Sequence, residues 1–254
     1  MAVPPLSGPT TSATCDPNSS EPRDTKARSA VCHRVRVAVW VRDEWHASAE
    51  LLHARPMPGD GRRRVSWMLP TAPALILGSA SPDLFGGMRT DLVRRHSGGG
   101  LVWLDPGTSA WVDVFVPTGD PLWHSDVGKA FHWLGHTLAT AFADVGVPAS
   151  MHPGPYEAGP SDGLLCFASL GPGEVVVDGR KLVGISQRRT REGSRFQCIA
   201  YERFELGPLA SVVDTATAAR ALDRAIGWAD LGLAASPSGI AEQMVSFIAA
   251  QGAQ

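Results

Sequence analysis

The sequence predicts an α+β fold, a mixed β-sheet flanked by helices, and three observations carry that expectation. Runs with strand character outnumber helical ones and are not regularly interleaved with them. An Asp178-Gly179 pair stands between β-branched runs, the strongest short-range sign of a tight hairpin. The two helical patterns of the tail follow one another with no strand between. With 254 residues, 44% of them hydrophobic and 19% charged, the chain can bury a core.

Residues 1–32 hold 14 Pro, Ser or Thr and almost no large apolar side chain, and they read as a disordered leader. Order is expected from about Arg34, where Val35, Val37, Val39 and Val41 alternate as in a strand. A short helix is expected within Glu44–Arg55, broken by Pro56, Pro58, Gly59 and Gly61. Strands follow at Ala74–Leu77 and Asp91–Arg94, the latter entering the run Ser97-Gly98-Gly99-Gly100. Two more, Leu101–Leu104 and Trp111–Val116, flank the turn Asp105-Pro106-Gly107. The clearest helix starts at Ser125 or Asp126. It repeats apolar residues at three and four through Val127, Phe131, Leu134, Leu138, Phe142 and Val145, and stops at Gly146. Residues 146–163 read as a loop, and Leu164–Phe167 as a short strand. The hairpin pairs Glu174–Val177 with Lys181–Ser186, and another strand covers Phe196–Glu202. The tail holds helices at about Thr215–Asp230 and Pro237–Ala250, the second opened by Ser236-Pro237.

A formal net charge of −2 gives no reason to expect nucleic acid as a partner. No apolar run approaches the ~18 residues of a membrane span, and the start lacks the basic and apolar blocks of a secretory signal. The four cysteines, Cys15, Cys32, Cys166 and Cys198, form no Cys-x-x-Cys pair, which fits a reducing cytoplasm. His132 and His136 are spaced for a metal, but no Glu follows His132 and no third ligand is evident, so no metal site is assigned.

Three patches could carry chemistry. In Arg94-Arg95-His96-Ser97-Gly98-Gly99-Gly100, three glycines between strands suit either a ligand lying on bare backbone, with two arginines supplying charge, or a flexible turn. The segment Gly179–Arg189 holds Lys181, one of only three lysines beside 20 arginines. Lys181 alternates in phase with Val183, Ile185 and Gln187, so it either meets an anion among apolar neighbours or snorkels at a sheet edge. Cys166-Phe167 lies in an apolar run, where a cysteine is ordinarily packing.

Taken together, Arg-Arg-x-Ser-Gly-Gly-Gly at 94–100 and Gly-Arg-Lys-x-x-Gly-x-x-Gln at 179–187 resemble the catalytic domain of biotin and lipoate protein ligases. The nearer branch is lipoate-protein ligase A with its cysteine-type octanoyltransferase relatives. Trp67, Pro70, Leu75–Gly78 and Asp105-x-Gly107 are softer matches. The resemblance implies a fold like that of class II aminoacyl-tRNA synthetases and biotin ligases. It covers roughly residues 35–206 and, with the composition of 1–32 and the helical patterns of the tail, divides the chain into a leader at 1–32, a catalytic domain at 33–206 and a C-terminal helical extension at 207–254.

The implied activity is attachment of a lipoyl or octanoyl group to a lysine of a lipoyl carrier domain, in 2-oxoacid dehydrogenases or the glycine cleavage H protein. Lys181 and Cys166 become the implied catalytic residues. Arg94, Arg95, Ser97, Gly98, Gly99, Gly100, Gly184 and Gln187 become the implied substrate-binding set. Cysteine-type members carry Cys-Phe 15 positions before the motif lysine and a Glu eight after the Cys, where this chain has Cys166-Phe167, Lys181 and Glu174. That spacing implies an acyl-thioester on Cys166, loaded from acyl carrier protein, with Lys181 favouring the thiolate. Two alternatives stay open: an ATP- and Mg²⁺-dependent ligase acting through an acyl-adenylate, and a non-catalytic acyl- or carrier-binding homologue. Leu104 replaces a common His, Ser79 and Ser81 replace a common Arg and Gln, and the tail reads as helices rather than the accessory domain of two-domain ligases.

Overall fold

The computed structural model describes residues 39–82 and 92–252. The leader, Cys15, Cys32, Lys26 and most of the strand expected over Val35–Val41 lie outside them. The described chain is a mixed α+β structure. Its main sheet contains β1 (Val41–Ala47), β2 (Arg64–Pro70), β6 (Ser109–Pro117), β7 (Ser150–Met151), β8 (Val175–Val177), β9 (Arg180–Arg189) and β10 (Gly193–Tyr201) in the order β1-β2-β6-β10-β9-β8-β7. Only β1 and β2 run parallel; every other neighbouring pair in this sheet is antiparallel. A small sheet in the order β4-β3-β5 joins β3 (Ala74–Leu77), β4 (Leu92–Arg94) and β5 (Val102–Leu104).

Alternation explains which face of the main sheet goes where. Val112, Val114 and Val116 of β6, with Phe196, Cys198 and Ala200 of β10, pack against helices α2 (His132–Asp144) and α4 (Pro237–Ala250) in one buried cluster. Leu134, Leu138 and Phe142 from α2 and Ile240, Met244 and Ile248 from α4 supply the helical side. The opposite face, with Trp111 of β6, meets Ile76, Val102 and Leu104 of the small sheet and Leu52 of α1 (Ala49–Ala54). Ser236 caps α4, its hydroxyl accepting from the Gly239 amide at 3.2 Å, with Pro237 in the first turn.

Several expected elements move. The strand β1 continues to Ala47, so the helix expected within Glu44–Arg55 shrinks to Ala49–Ala54. Arg64–Pro70, which has no clean period, is a strand because both its edges are paired. The clearest helix opens as a 3₁₀ turn at Lys129–Phe131, with Asp126 accepting from the Lys129 amide at 2.9 Å, and becomes α-helical at His132. The helix expected over Thr215–Asp230 is α3 (Thr215–Leu222) and ends early. Beyond it the Arg224 carbonyl and the Ile226 amide bond to the Lys181 main chain at 2.8 and 3.0 Å, which draws the chain into strand-like pairing. The strand expected at Leu164–Phe167 is one parallel bridge, Leu101 to Leu165, followed by a 3₁₀ turn at Cys166–Ala168. Among the described residues no helix is long and apolar enough to cross a membrane.

Candidate active site

The glycine loop after β4, the turn at Cys166–Ala168 and the strand β9 converge on two adjoining chambers. The inner one is a narrow cavity of about 30 Å³ walled by Ile76, Val102, Leu104, Trp111 and Ile199, with His53, Arg95 and Gln197 among its polar members. The outer one is an open cavity of about 250 Å³ lined by Gly98, Gly99, Phe131, Tyr156, Glu174, Lys181 and Gln187. Cys166, Ile185 and Ser186 line both, so the cysteine stands where the two meet.

Lys181 is buried, at 1% exposure. Its Nζ lies 2.7 Å from Glu174 Oε2 and donates to the Cys166 carbonyl at 2.7 Å. The Phe167 ring centroid is 5.4 Å away. Glu174 also accepts from the Gly171 amide at 2.6 Å and from the Ile185 amide at 3.2 Å. The snorkelling alternative is therefore set aside: this lysine sits in an enclosed pair. Its hydrogen bond goes to the main chain of Cys166, and so it fixes the turn that presents the thiol. The Ser169 hydroxyl donates to the same carbonyl at 2.9 Å.

The three glycines do different work. Gly99 has φ +98°, a left-handed backbone that side-chain-bearing residues rarely adopt, and a Cβ built there would lie 3.8 Å from Cys166 Sγ. Gly100 faces away from the chambers. A Cβ on it would meet the Leu164 carbonyl oxygen at 2.4 Å, so its bareness serves chain packing. Gly98 is open to the outer chamber with nothing within 4 Å of a built Cβ. Arg95 braces the loop, donating from one terminal nitrogen to the Gly98 carbonyl at 2.8 Å and the Gly100 carbonyl at 3.2 Å. Arg94 instead donates to the carbonyls of Gly78 at 3.0 Å and Ser81 at 2.8 Å, and it lines neither chamber.

Ser97 is buried and bonds to Ser186 Oγ at 3.0 Å and Gln197 Oε1 at 2.8 Å, joining the loop to β9 and β10. Gly184 lies against the Phe167 ring and lines the inner chamber. Gln187 lines the outer chamber, and both polar atoms of its carboxamide are buried without a partner.

Glu174, placed by the cysteine-type spacing, joins the site, and His53, Gln197 and Trp111 complete it beyond the residues named from sequence. His53 stacks on Trp111 with ring centroids 4.6 Å apart, and its Nδ1 lies 3.1 Å from Gln197 Nε2. Burial, aided by the charges of Arg95, His96 and Arg195, pulls its pKa down to about 3. Asp113, behind the Trp111 indole N–H at 2.7 Å, is pushed up by burial, against the pull of Arg195 and Arg55. Cys198 belongs to the helix-side core, and burial raises its thiol well above the ordinary range, so it is a packing residue. Among the described residues no three His, Cys, Asp or Glu side chains group as a metal site.

The chain matches the lipoyl protein ligase A/B catalytic domain profile over residues 50–226. No curated protein sequence matches it. In fold it is similar to a bipartite lipoate protein ligase from Thermoplasma acidophilum solved in a study with its E2 lipoyl domain, at TM-score 0.61 and 14% identity, covering 83% of this chain and 82% of that one. It is similar to a lipoate-protein ligase A bound with ATP at TM-score 0.60 and 14% identity, covering 83% of each chain. A third similar structure is P. falciparum LipL1 in complex with lipoate, at TM-score 0.52 and 10% identity, covering 82% of this chain and 61% of that one.

Proposed function

Because this chain belongs to the lipoyl protein ligase A/B catalytic domain family, whose members transfer or ligate lipoyl groups, we propose that it attaches a lipoyl or octanoyl group to a lysine of a lipoyl carrier domain through a thioester on Cys166. The observation that carries this reading is the position of Cys166 at the junction of an inner chamber walled by apolar side chains and an outer one into which the Lys181–Glu174 pair and Gln187 are set. An acyl chain held on that sulfur would lie along Ile76, Val102 and Leu104, leaving its carbonyl at the mouth beside Gly99 and Lys181.

The chemistry balances in two steps. The Cys166 thiolate attacks the donor thioester, a new C–S bond forms, and the donor thiolate leaves and takes a proton. The carrier lysine amine then attacks the Cys166 thioester, an amide C–N bond forms, and the sulfur departs as thiol with a proton from the amine. Backbone N–H groups of the glycine loop and the Lys181 ammonium would meet the charge that develops on the carbonyl oxygen. The lipoyl domain studied with the T. acidophilum ligase supports a carrier domain of this kind as acceptor, and acyl carrier protein is the proposed donor.

An ATP-dependent route through an acyl-adenylate is the second reading, favoured by the similarity to an ATP-bound ligase and by the larger outer chamber. The donor set fits Mg²⁺ poorly: Glu174 is the one carboxylate among the described residues lining that chamber, and Lys181 holds it. Intact-protein mass spectrometry after incubation with octanoyl-acyl carrier protein tests the choice. An octanoyl adduct mapped to Cys166 and lost in Cys166→Ser supports the thioester. Lipoate-dependent pyrophosphate release that survives Cys166→Ser selects the adenylate and removes the thioester.

A further inference from the structure

Two cations stand beside Cys166, and their surroundings differ. The Lys181 ammonium is closed into its pair with Glu174 and donates to the Cys166 carbonyl, so it presents little net charge to the sulfur. Arg95 reaches the site from the glycine loop and lines the inner chamber together with Cys166. It is 6% exposed, and its Nε is buried without a hydrogen-bond partner. One terminal nitrogen is held by the Gly98 and Gly100 carbonyls, and among the described residues no carboxylate pairs with the guanidinium.

The bare backbone of Gly99 lets this guanidinium approach the thiol. A Cβ built on Gly99 would lie 2.7 Å from Arg95 Nη2 and 3.8 Å from Cys166 Sγ. Nitrogen and sulfur therefore flank one point, and the gap between them is no wider than those two distances together. Among the described residues, the other titratable groups around the sulfur add no net charge. His53, from α1, is neutral because burial pulls its pKa down to about 3. Tyr201, from β10, keeps its proton because burial raises its hydroxyl well above the ordinary range. Tyr156 brings a hydroxyl to the outer chamber, and Glu174 is matched by Lys181. In a partly enclosed site a cation at this range is worth more to an anion than in water, and a guanidinium keeps its charge across the range in which a thiol titrates.

We propose that Arg95, rather than Lys181, supplies the positive charge that stabilises the Cys166 thiolate, the thiol proton passing to water. The inference rests on the reading of Cys166 as the nucleophile. The two cations then divide the work. Arg95 prepares the sulfur, while Lys181 fixes the turn that presents it and meets the carbonyl oxygen of the acyl group. Gly99 gains a reason for being bare, since a side chain there would stand between the guanidinium and the thiol.

The pH profile of Cys166 alkylation by iodoacetamide, followed on the full chain by peptide mass spectrometry, tests this. Arg95→Met should move the midpoint of that profile up by about one pH unit, which slows alkylation at neutral pH by up to about tenfold. Arg95→Gln, a second neutral variant that keeps an amide donor for the loop carbonyls, should move it equally. Arg95→Lys, which keeps a cation, should hold the midpoint within about half a unit of wild type. An unmoved midpoint in a folded Arg95→Met or Arg95→Gln overturns the inference, and slower alkylation at every pH with that same midpoint would reduce Arg95 to a brace of the loop. A shift at least as large in the double variant Lys181→Met, Glu174→Gln also overturns it and gives the role to Lys181. Absence of an octanoyl adduct on Cys166 removes the thioester reading instead, and the alkylation profile still decides which cation faces the sulfur.

Discussion

Glu174 and Lys181 form a buried ion pair, with 2.7 Å between Oε2 and Nζ and side-chain exposures of 5% and 1%. Such a pair is worth little against a matched apolar replacement but is costly to break on one side. Lys181→Met leaves the Glu174 carboxylate with only the Gly171 and Ile185 amides, and the Cys166 carbonyl with only the Ser169 hydroxyl and amide. The expected destabilisation is about 3–5 kcal/mol, read from urea unfolding. Adding Glu174→Gln should restore most of that stability without restoring acyl transfer. Recovery of both would reduce Lys181 to a structural residue.

Gly98 and Gly100 should respond in opposite ways to one methyl group. At Gly98 a Cβ meets nothing within 4 Å, and Gly98→Ala should unfold within about 0.5 kcal/mol of wild type. At Gly100 the Cβ would lie 2.4 and 2.5 Å from the carbonyl oxygens of Leu164 and Gly163, both backbone. Gly100→Ala must push away the segment that leads into Cys166, at a cost of about 1–3 kcal/mol. Urea midpoints for the two variants, with the rate of Cys166 alkylation as the readout of turn position, check the contrast.

Gln187 should matter to substrate rather than to folding. Its carboxamide lines the outer chamber with donor and acceptor both unmet, so the native state loses no internal bond when it is removed. Gln187→Ala is expected to unfold within about 0.5 kcal/mol of wild type and to lower kcat/KM for the carrier domain by about tenfold. A large stability loss with unchanged kinetics would contradict this.

Local patterns were legible where local physics decides. The Asp178-Gly179 turn and the Ser236-Pro237 opening of α4 are set by residues at those positions, and both appear as expected. The two motifs likewise pointed to Lys181, Ser97 and Gln187, which do line or tie together the chambers. Pairing was not legible. β2 exists because β1 and β6 flank it, and α3 stops because Lys181 captures the chain at Arg224 and Ile226. Cys166 leaves its expected strand because its carbonyl bonds to Lys181, 15 residues away. His53 gave no signal, since one His in a short apolar helix looks like packing, and only the fold brings it to Gln197 and Trp111. Arg94, paired with Arg95 in the motif, turns out to hold the loop at Gly78–Ser81.

The depressed pKa of His53 should make the protein acid-sensitive over a defined window. Folded His53 takes its proton only near pH 3, while the unfolded side chain does so near 6.5. Between those values the unfolded state binds a proton that the folded state refuses, so stability is complete above about pH 6.5 and falls as pH is lowered toward 3. The slope approaches about 1.4 kcal/mol per pH unit, giving roughly 2 kcal/mol lost between pH 6.5 and 5 from this group. Asp113, raised by burial, acts with the opposite sign: its contribution declines as pH rises above the ordinary carboxylate range. His53→Phe removes the first effect and keeps the second. Its unfolding free energy should therefore fall less than that of wild type between pH 7 and 5. Equal losses in the two proteins would mean that His53 is protonated in place and that its Nδ1 is not held as an acceptor by Gln197.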